Sequence, residues 1–431
     1  ALRGRRRSRD GKGTGMTVPA TTEIRFAQHA PTSFFPVVDG QIAPGGIPIG
    51  RLAERVGRTP FYVYDRAAIS MRVQSLRAAL PAALHLHYAI KANPMPAVVQ
   101  HLAALTDGLD VASAQEMRVA LDTGIAPQRV SFAGPGKTAA EIRQAVAAGI
   151  TVTVESALQL EQAVAAGEAL GVRPRVAVRV NPAFELKSSG MRMGGGPKPF
   201  GIDEAKVPEV LDRVRADGAH LCGLHIFGGS QNLRAEAIVD AQQKTYELGL
   251  SLLRHWAAPV EWLNLGGGLG VPYFPNEHEL DLAPVAANLH RLCERAHADL
   301  DAPLVIELGR YLVAHAGLYV CRVLDRKESC GQVFLVADGG LHHHLAASGN
   351  FGQVLRKNYP VAVANRIEAP LDEVQTVVGP LCTPLDVLAD RMMLARAQPG
   401  DLIAVFQSGA YGPTASPAAF LGHPAAGEVL V

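Results

Sequence analysis

The chain alternates regularly between two kinds of segment from residue 84 to residue 309. Short runs rich in β-forming residues are separated by alanine- and leucine-rich segments whose apolar residues recur at helical spacing. Eight such runs occur: LHLHYAIK (84–91), LDVAS (109–113), VSFAG (130–134), TVTVE (151–155), VAVRVN (176–181), CGLHIFG (222–228), WLNLGG (262–267) and LVIELG (304–309). Eight βα units over about 225 residues favour an α/β fold with a closed parallel (β/α)8 barrel, a TIM barrel, over a doubly wound open sheet.

Beyond Arg310 the sequence changes character. Strand-like runs are separated by Pro, Gly, Asn and Asp turns, and long helical stretches are few. This pattern predicts a C-terminal β-sandwich or β-barrel domain over residues 311–431, after a barrel over 66–310. Strands within residues 31–65, including FYVYD, are expected to join that β domain. The glycine-rich stretch 187–201 is either a flexible lid or a plain surface loop.

The charge balance and the cysteine pattern exclude several classes of partner. Lys and Arg number 41 against 40 Asp and Glu, so no large field attracts nucleic acid or an acidic membrane surface. No apolar run reaches the roughly 18 residues of a membrane span. The five scattered cysteines form no C-x-x-C pair, which favours a reducing cytoplasm over a disulfide framework or a zinc site. Residues 1–30 begin with a basic, glycine-rich stretch and are expected to be disordered.

Side chains that can bind a ligand or take part in catalysis occur at the carboxyl ends of the eight runs, where a βα barrel carries its active site. They are Lys91, Asp110, Arg179, His225, Phe227, Ser230, Glu307 and Arg310, and the seventh run ends in the glycine segment 266–270. We expect Lys91 to be partly buried after its apolar run and able to form a Schiff base. The glycine segment alone fits either a tight turn or a phosphate site. Together these groups suit an aldehyde cofactor that carries a phosphate.

Nine motifs in order resemble those of the fold-type III pyridoxal-phosphate (PLP) decarboxylases, the family of diaminopimelate, ornithine and arginine decarboxylases. The resemblance covers about residues 58 to 431. The motifs are YAIKAN (88–93), FAGPGKT (132–138), ES (155–156), RVNP (179–182), NLGGGLG (264–270), ELGR (307–310), ADGG (337–340), GPLCTPLD (379–386) and SGAYG (408–412). It implies an amino-acid α-decarboxylase that works as a homodimer with shared active sites.

The resemblance implies roles for the matching residues. Lys91 would bind PLP as a Schiff base, Glu307 would pair with the pyridinium nitrogen, and Cys382 would protonate the substrate Cα across the dimer interface. The phosphate would be held by Ser230, Gly267, Gly268, Arg310 and Tyr411. Further predicted cofactor contacts are Asp110, Arg179, His225, Phe227 and Gly309, and predicted substrate contacts are Arg310, Thr383, Asp386 and Tyr411.

Three departures from the family pattern leave the substrate open. Phe227 stands where the family usually has histidine, and Thr383 stands where diaminopimelate and ornithine decarboxylases have an acidic residue. LHHHLAASGNFGQ (341–353) replaces a segment in which diaminopimelate decarboxylases carry an arginine and a tyrosine. Residues 342–344 could serve a substrate pocket or an interface, whereas neighbours on a strand point to opposite faces and cannot all bind one metal ion. These variants resemble a subgroup linked to polysaccharide-export and natural-product loci, so a carrier-linked amino acid is a second hypothesis.

Two alternatives share the barrel and the cofactor. Alanine racemase-like enzymes usually follow their lysine with a different loop and use a tyrosine base rather than a GPLC motif. Non-catalytic PLP-binding proteins are generally a barrel alone, and the predicted β domain counts against them.

Overall fold

The computed structural model describes residues 28–30, 32, 34–184, 191–192, 194–351, 353 and 356–431. Most of the N-terminal segment that we predict to be disordered, and part of the stretch 187–201, lie outside the described residues. Within the described ranges, no helix is long and apolar enough to cross a membrane.

Eight parallel strands close into a barrel. Each pairs with the next along the chain, and pairing of the eighth with the first completes the ring. The strands, named barrel strands 1 to 8, are His85–Ala89, Gly108–Val111, Val130–Phe132, Thr151–Val154, Arg175–Asn181, His220–Ile226, Trp262–Gly267 and Leu304–Leu308. The predicted TIM barrel is therefore confirmed.

The segments that connect the barrel strands form helices, which surround the barrel. Residues that favour the start or the end of a helix fix where these helices begin and end. Thr138 and Glu141 form a capping box at the start of one helix, and Gly149, with a φ of 76°, ends it in the left-handed conformation. The surrounding helices are Arg66–Ala79, Pro96–Ala103, Ala114–Asp122, Ala139–Ala148, Ala157–Leu170, Val207–Ala216, Ala235–Trp256 and Leu282–Leu300. The first of them packs against the last, because after barrel strand 8 the chain forms only the short helix Arg310–Val313 before it leaves the barrel.

A mostly-sheet domain follows the barrel. Its strands are Phe61–Tyr64, Gly317–Ser329, Gln332–Ala337, Val361–Val363, Glu373–Val378, Val387–Leu394, Leu402–Val405 and Gly427–Leu430. Phe61–Tyr64 comes from before the barrel and pairs antiparallel with Gly317–Ser329 and parallel with Gly427–Leu430. Helix Ile49–Val56 packs on this sheet through its buried apolar face. The segment boundaries given above stay predictions.

Four shorter pairings complete the described strands. Val37–Val38 pairs with Gln41–Ile42, and Ile202–Asp203 extends the barrel sheet beside barrel strand 5. Gly229–Ser230 pairs with Met191–Arg192, and Asn232 forms a bridge with Leu269. The last two pairings connect loops that follow barrel strands 5, 6 and 7.

The β domain contacts the barrel mouth at the turn after barrel strand 1. The predicted strand ran through Lys91, whereas barrel strand 1 ends at Ala89 and Ile90–Ala92 form one 3₁₀ turn. The Tyr411 backbone N–H donates to the Ala92 carbonyl at 2.7 Å, and the Asn93 side-chain amide donates to the Gly409 carbonyl at 3.0 Å. The SGAYG segment is thus fixed beside the lysine.

Candidate active site

The carboxyl ends of barrel strands 1, 6, 7 and 8 surround one cavity. Tyr411 reaches this cavity from the β domain. Eight predicted site residues line it: Lys91, Phe227, Ser230, Gly268, Glu307, Gly309, Arg310 and Tyr411. The other residues of the lining are Ala89, Gln231, Leu269, Leu308 and Tyr311. The cavity therefore brings residues at the ends of four barrel strands together with Tyr411, which follows Lys91 by 320 residues in the sequence.

Lys91 is exposed in the single chain, so our expectation that it is partly buried is wrong. The reason is local. The strand stops two residues earlier, and the 3₁₀ turn directs the side chain into the open barrel mouth instead of the packed wall. Its Nζ lies 6.0 Å from the centre of the Phe227 ring. The amine is therefore accessible to a molecule that enters the mouth.

Glu307 is the buried anion of the site. Its Oε1 accepts a hydrogen bond from the Asn264 side-chain amide at 2.6 Å and lies 3.1 Å from His225 Nε2, an ion-pair distance without hydrogen-bond alignment. Burial would raise the pKa of Glu307, but the neighbouring His225, Lys91 and His87 outweigh burial and lower it to about 2. The carboxylate is therefore charged at neutral pH and can keep a partner nitrogen protonated.

Asp110 lies on barrel strand 2, and barrel strand 1 separates it from the strand that carries Glu307. Its Oδ1 accepts a hydrogen bond from the Ser131 hydroxyl and lies 3.4 Å from His87 Nδ1. Burial would lower the pKa of His87, but Asp110 outweighs it and raises the pKa. Asp110 Oδ2 is buried and has no hydrogen-bond partner among the described residues. An orphaned carboxylate oxygen of this kind is costly unless another group meets it.

The glycine segment after barrel strand 7 passes too close to other backbone for any side chain. A Cβ on Gly267 would overlap the Glu307 carbonyl oxygen, and a Cβ on Gly268, whose φ is 97°, would overlap the Gly229 carbonyl oxygen. Gly268 and Ser230 face the cavity from adjacent loops, whereas Gly267 is not part of its lining. The amine, the charged carboxylate and this cradle fit a phosphate-bearing aldehyde, whereas Asp110 is not part of the cavity lining.

Arg310 brings a fixed positive charge to the same cavity. Its Nη1 donates to the Tyr273 hydroxyl at 3.0 Å, and its guanidinium carbon lies 4.6 Å from the centre of the Tyr411 ring. The Tyr273 ring lies 4.5 Å from that of Tyr359, which belongs to the β domain. Aromatic side chains from both domains therefore hold this guanidinium in place.

Arg179 is paired away from the cavity lining. Its Nη1 lies 3.0 Å from Glu155 Oε1, and both side chains are buried. Glu155 also accepts the backbone N–H groups of Gly134 and Gly201, so this ion pair joins three loops of the barrel mouth. Burial lowers the pKa of Lys137, which donates to two backbone carbonyls nearby, to about 8. Cofactor contact by Arg179 stays a prediction.

Cys382, Thr383 and Asp386 belong to a loop that does not line the cavity of their own chain. Cys382 is exposed and Thr383 is partly exposed. Asp386 is buried and accepts the backbone N–H groups of Leu341 at 2.6 Å and Leu381 at 2.9 Å. The carboxylate therefore ties the GPLC loop to the segment that carries the histidines, and its predicted substrate contact stays untested.

The three histidines lie in a turn after strand Gln332–Ala337, so the assumption that they alternate along a strand is wrong. All three are buried. His343 contacts the Pro424 carbonyl at 2.8 Å, and His344 contacts the Ser408 hydroxyl at 2.9 Å. Both ring nitrogens of His342 lack a partner among the described residues.

A separate group of potential metal ligands lies at the opposite end of the barrel. Within the described part of the chain, His220, Cys222 and Glu261 are the one set of three whose ligand atoms lie within 4.8 Å of one another. Both Glu261 oxygens already accept hydrogen bonds from Arg175, at 2.8 and 2.6 Å. A guanidinium in this position opposes the binding of a cation.

The side chains that hold the predicted groups in place were not among the predicted site residues. Asn264 binds Glu307, Tyr273 binds Arg310, and Gln231 binds the glycine loop. Asn264 gave a usable signal, because it is a polar residue inside an otherwise apolar strand run. Tyr273 gave none, since an aromatic residue after a glycine turn is equally typical of ordinary packing.

Comparisons with known proteins agree with this geometry. The family model described as pyridoxal-dependent decarboxylase, pyridoxal binding domain, matches residues 66–314. The L-glutamyl-[BtrI acyl-carrier protein] decarboxylase of Niallia circulans is 38% identical over 380 residues, which are 86% of this chain and 88% of that protein. Diaminopimelate decarboxylase of Aquifex aeolicus is 31% identical over 396 residues, 91% of each chain.

A solved structure shares the whole architecture. The crystal structure of diaminopimelate decarboxylase from Helicobacter pylori complexed with L-lysine superposes with a TM-score of 0.78 at 29% identity. The match covers 89% of this chain and 94% of that chain. The chain therefore belongs to the pyridoxal-dependent decarboxylases, with pyridoxal phosphate as its cofactor and amino-acid decarboxylation as its activity.

Proposed function

We propose that the protein removes the α-carboxylate of an amino acid whose side chain is linked to a carrier. The observation that carries this proposal is the lack of formal charge where related decarboxylases recognise the far end of a free substrate. Thr383 is neutral. Burial, with the neighbouring His343 and His423, lowers the pKa of His342 to about 4, and burial lowers that of His344 to about 3, so both are neutral at pH 7. A side chain masked by a covalent link carries no charge that these residues would need to balance.

The residues of the cavity divide the chemical work. PLP supplies the electron sink that accepts the electrons of the breaking carbon–carbon bond. The Lys91 amine would bind the aldehyde and release it to the substrate amine, and the charged Glu307 would hold a proton on the ring nitrogen. Ser230 and Gly268 would bind the phosphate, assisted by the positive charge of Arg310. Phe227 offers an aromatic face without an exchangeable proton.

We propose further that the chain acts as a homodimer in which Cys382 enters the cavity of the partner. Cys382 is exposed, as are the apolar side chains of Leu385, three residues along the same loop, and Phe351, which are 58% and 43% accessible. The Asn350 side-chain amide donates to the Leu385 carbonyl at 3.3 Å and so connects the two loops. Apolar surface next to a reactive thiol supports a covered interface. From that position the thiol would donate the proton that replaces CO2 at the substrate Cα.

The substrate proposal is tested by comparing a carrier-linked amino acid with two free amino acids. Purified protein with PLP is incubated with glutamate linked through its side-chain carboxylate as a thioester to an acyl-carrier protein, and separately with free glutamate and free diaminopimelate. We expect intact-protein mass spectrometry to show loss of one CO2 from the loaded carrier, and little amine from the free amino acids. Lys91→Ala serves as the inactive control. Faster turnover of free diaminopimelate than of the loaded carrier would overturn the proposal.

The shared site is tested by mixing two inactive variants, Lys91→Ala and Cys382→Ala. In a mixed dimer, one of the two sites contains both intact residues. Random exchange should therefore recover about a quarter of wild-type activity, since half of the dimers are mixed and each has one working site. If mixing recovers no activity although light scattering shows dimers that exchange, the cysteine acts within its own chain or has no role.

A further inference from the structure

We infer that Gln231 is a positioning residue, one that sets the spacing between the two loops of the phosphate cradle. The inference rests on the cofactor site proposed above, and not on the identity of the substrate. Gln231 follows Ser230, lines the cavity and was not among the predicted site residues. Its side chain is directed at the neighbouring loop.

The Gln231 side chain binds both polar groups of one residue in the glycine loop. Its Nε2 donates to the Val271 carbonyl at 2.5 Å, and its Oε1 accepts from the Val271 backbone N–H at 3.1 Å. The amide therefore replaces the backbone partner that a neighbouring strand would supply. Val271 is fully buried, so its N–H and carbonyl lose their protein partner if the amide is removed.

The backbone of Gln231 is held in an unfavourable conformation. Its φ is 59°, in the left-handed region that few residues other than glycine and asparagine adopt. Such a conformation costs on the order of 1 kcal/mol and persists where surrounding contacts impose it. A glycine would adopt the same backbone without strain but would lack the amide, so backbone and side-chain effects can be separated by mutation.

The next residue continues the same connection. The Asn232 backbone N–H donates to the Gly268 carbonyl at 2.9 Å, and the Gly270 N–H donates to the Asn232 carbonyl at 2.8 Å. The loops that follow barrel strands 6 and 7 are thus joined along their length, with Ser230 on one side and Gly268 on the other. A doubly charged phosphate bound between them depends on donors that are already in place.

The consequence is specific to the phosphate. If the amide is lost, the loops keep the backbone hydrogen bonds of Asn232 but lose their connection at Val271, so their spacing can change and the phosphate donors converge less well on one anion. Attachment of an aldehyde at Lys91 does not depend on these loops, because the lysine belongs to barrel strand 1 and its turn. Loss of Gln231 should therefore weaken binding of PLP much more than binding of pyridoxal, which has the aldehyde but no phosphate.

The test titrates cofactor-free protein with PLP and with pyridoxal and follows the absorbance of the lysine adduct. For Gln231→Ala and Gln231→Gly we expect the dissociation constant of PLP to rise about tenfold or more relative to that of pyridoxal, the scale set by losing hydrogen bonds to charged groups. Gln100→Ala, an exposed helical glutamine, is the matched control.

The possible results distinguish failure of the cofactor site from failure of the role assigned to Gln231. Wild-type protein that binds neither aldehyde would overturn the cofactor site itself. Retained pyridoxal binding in a variant shows that it is folded. If Gln231→Gly keeps the wild-type ratio of the two dissociation constants, or if both constants rise by the same factor, Gln231 does not position the phosphate donors and the inference is wrong.

Discussion

Replacing Glu307 by glutamine tests the electrostatic centre of the site with almost no change in shape. In the folded protein, the neighbouring His225, Lys91 and His87 lower the pKa of Glu307 from 4.5 to about 2 against the opposing effect of burial. A difference of this size corresponds to about 3 kcal/mol of preference for the charged carboxylate. Because the folded-state pKa lies below that of the unfolded chain, this stabilisation is present above pH 4.5 and is lost as the pH falls toward 2. Glutamine mimics the neutral acid at every pH.

We therefore expect Glu307→Gln to lower the free energy of unfolding of the cofactor-free protein by up to about 3 kcal/mol at pH 7. Urea unfolding measures this difference. A double-mutant cycle with His225→Asn assigns it, because His225 lies 3.1 Å from the carboxylate. The glutamine should cost markedly less stability in the His225→Asn background than in the wild type.

The same substitution should lower kcat by at least about a hundredfold, since a neutral amide cannot keep a ring nitrogen protonated and removing one electrostatic contact of this kind typically costs that much. Release of CO2 at saturating substrate gives kcat. A variant that keeps wild-type kcat and loses less than about 0.5 kcal/mol of stability, within the range of ordinary surface substitutions, would refute both the charge state and the role of Glu307.

Three further predictions concern buried groups around the site. Glu155→Gln leaves Arg179 buried without its counter-ion and should cost about 3 kcal/mol in urea unfolding; a change below 1 kcal/mol would contradict the pairing. In Asp386→Asn the new side chain can accept a hydrogen bond through one oxygen only, so it should lower the free energy of unfolding by about 1–3 kcal/mol. It should also lower kcat, because the Cys382 loop is held less firmly. If both quantities were unchanged, Asp386 would not anchor this loop. His344→Gln removes a histidine whose pKa burial lowers from 6.5 to about 3. The contribution of neutral His344 to the free energy of unfolding is complete above pH 6.5 and decreases below it. At pH 5 about 2 kcal/mol of this stabilisation has been lost. The variant should lose less stability than wild type between pH 7 and pH 5, and equal losses would contradict this.

The barrel could be predicted from the sequence because its strands are buried on both faces. Such strands read as continuous apolar runs between helical segments, and each of the eight predicted runs overlaps an observed strand. Strand ends were less predictable. The sequence YAIKAN is compatible both with a strand that continues through Lys91 and with one that ends at Ala89 and is followed by a 3₁₀ turn. The second arrangement is the one observed, and it exposes Lys91.

The chemical groups of the site could be predicted, but their partners could not. A lysine, a carboxylate and a glycine segment at strand ends follow from the alternation of strands and helices. That Asn264 binds Glu307 depends on which residues of adjacent strands share a layer, a register set by barrel closure. The pairing of Arg179 with Glu155 likewise depends on the register of two adjacent strands, in which Val154 lies beside Val178, and no local pattern encodes that register.

The proposed shared site would explain why both Lys91 and Cys382 are exposed in a single chain. A thiol that protonates carbon and an amine that binds an aldehyde both work better when water is excluded. In one chain, however, neither group is covered. The loop of Cys382 is fixed from behind by the buried Asp386, so it is held in one shape while its outer face stays open. A rigid loop with an exposed apolar residue, Leu385, suits insertion into a second molecule better than closure over its own barrel. Each chain would then supply half of two sites, which is why recovery of activity in mixed dimers distinguishes this arrangement from a complete site in every chain.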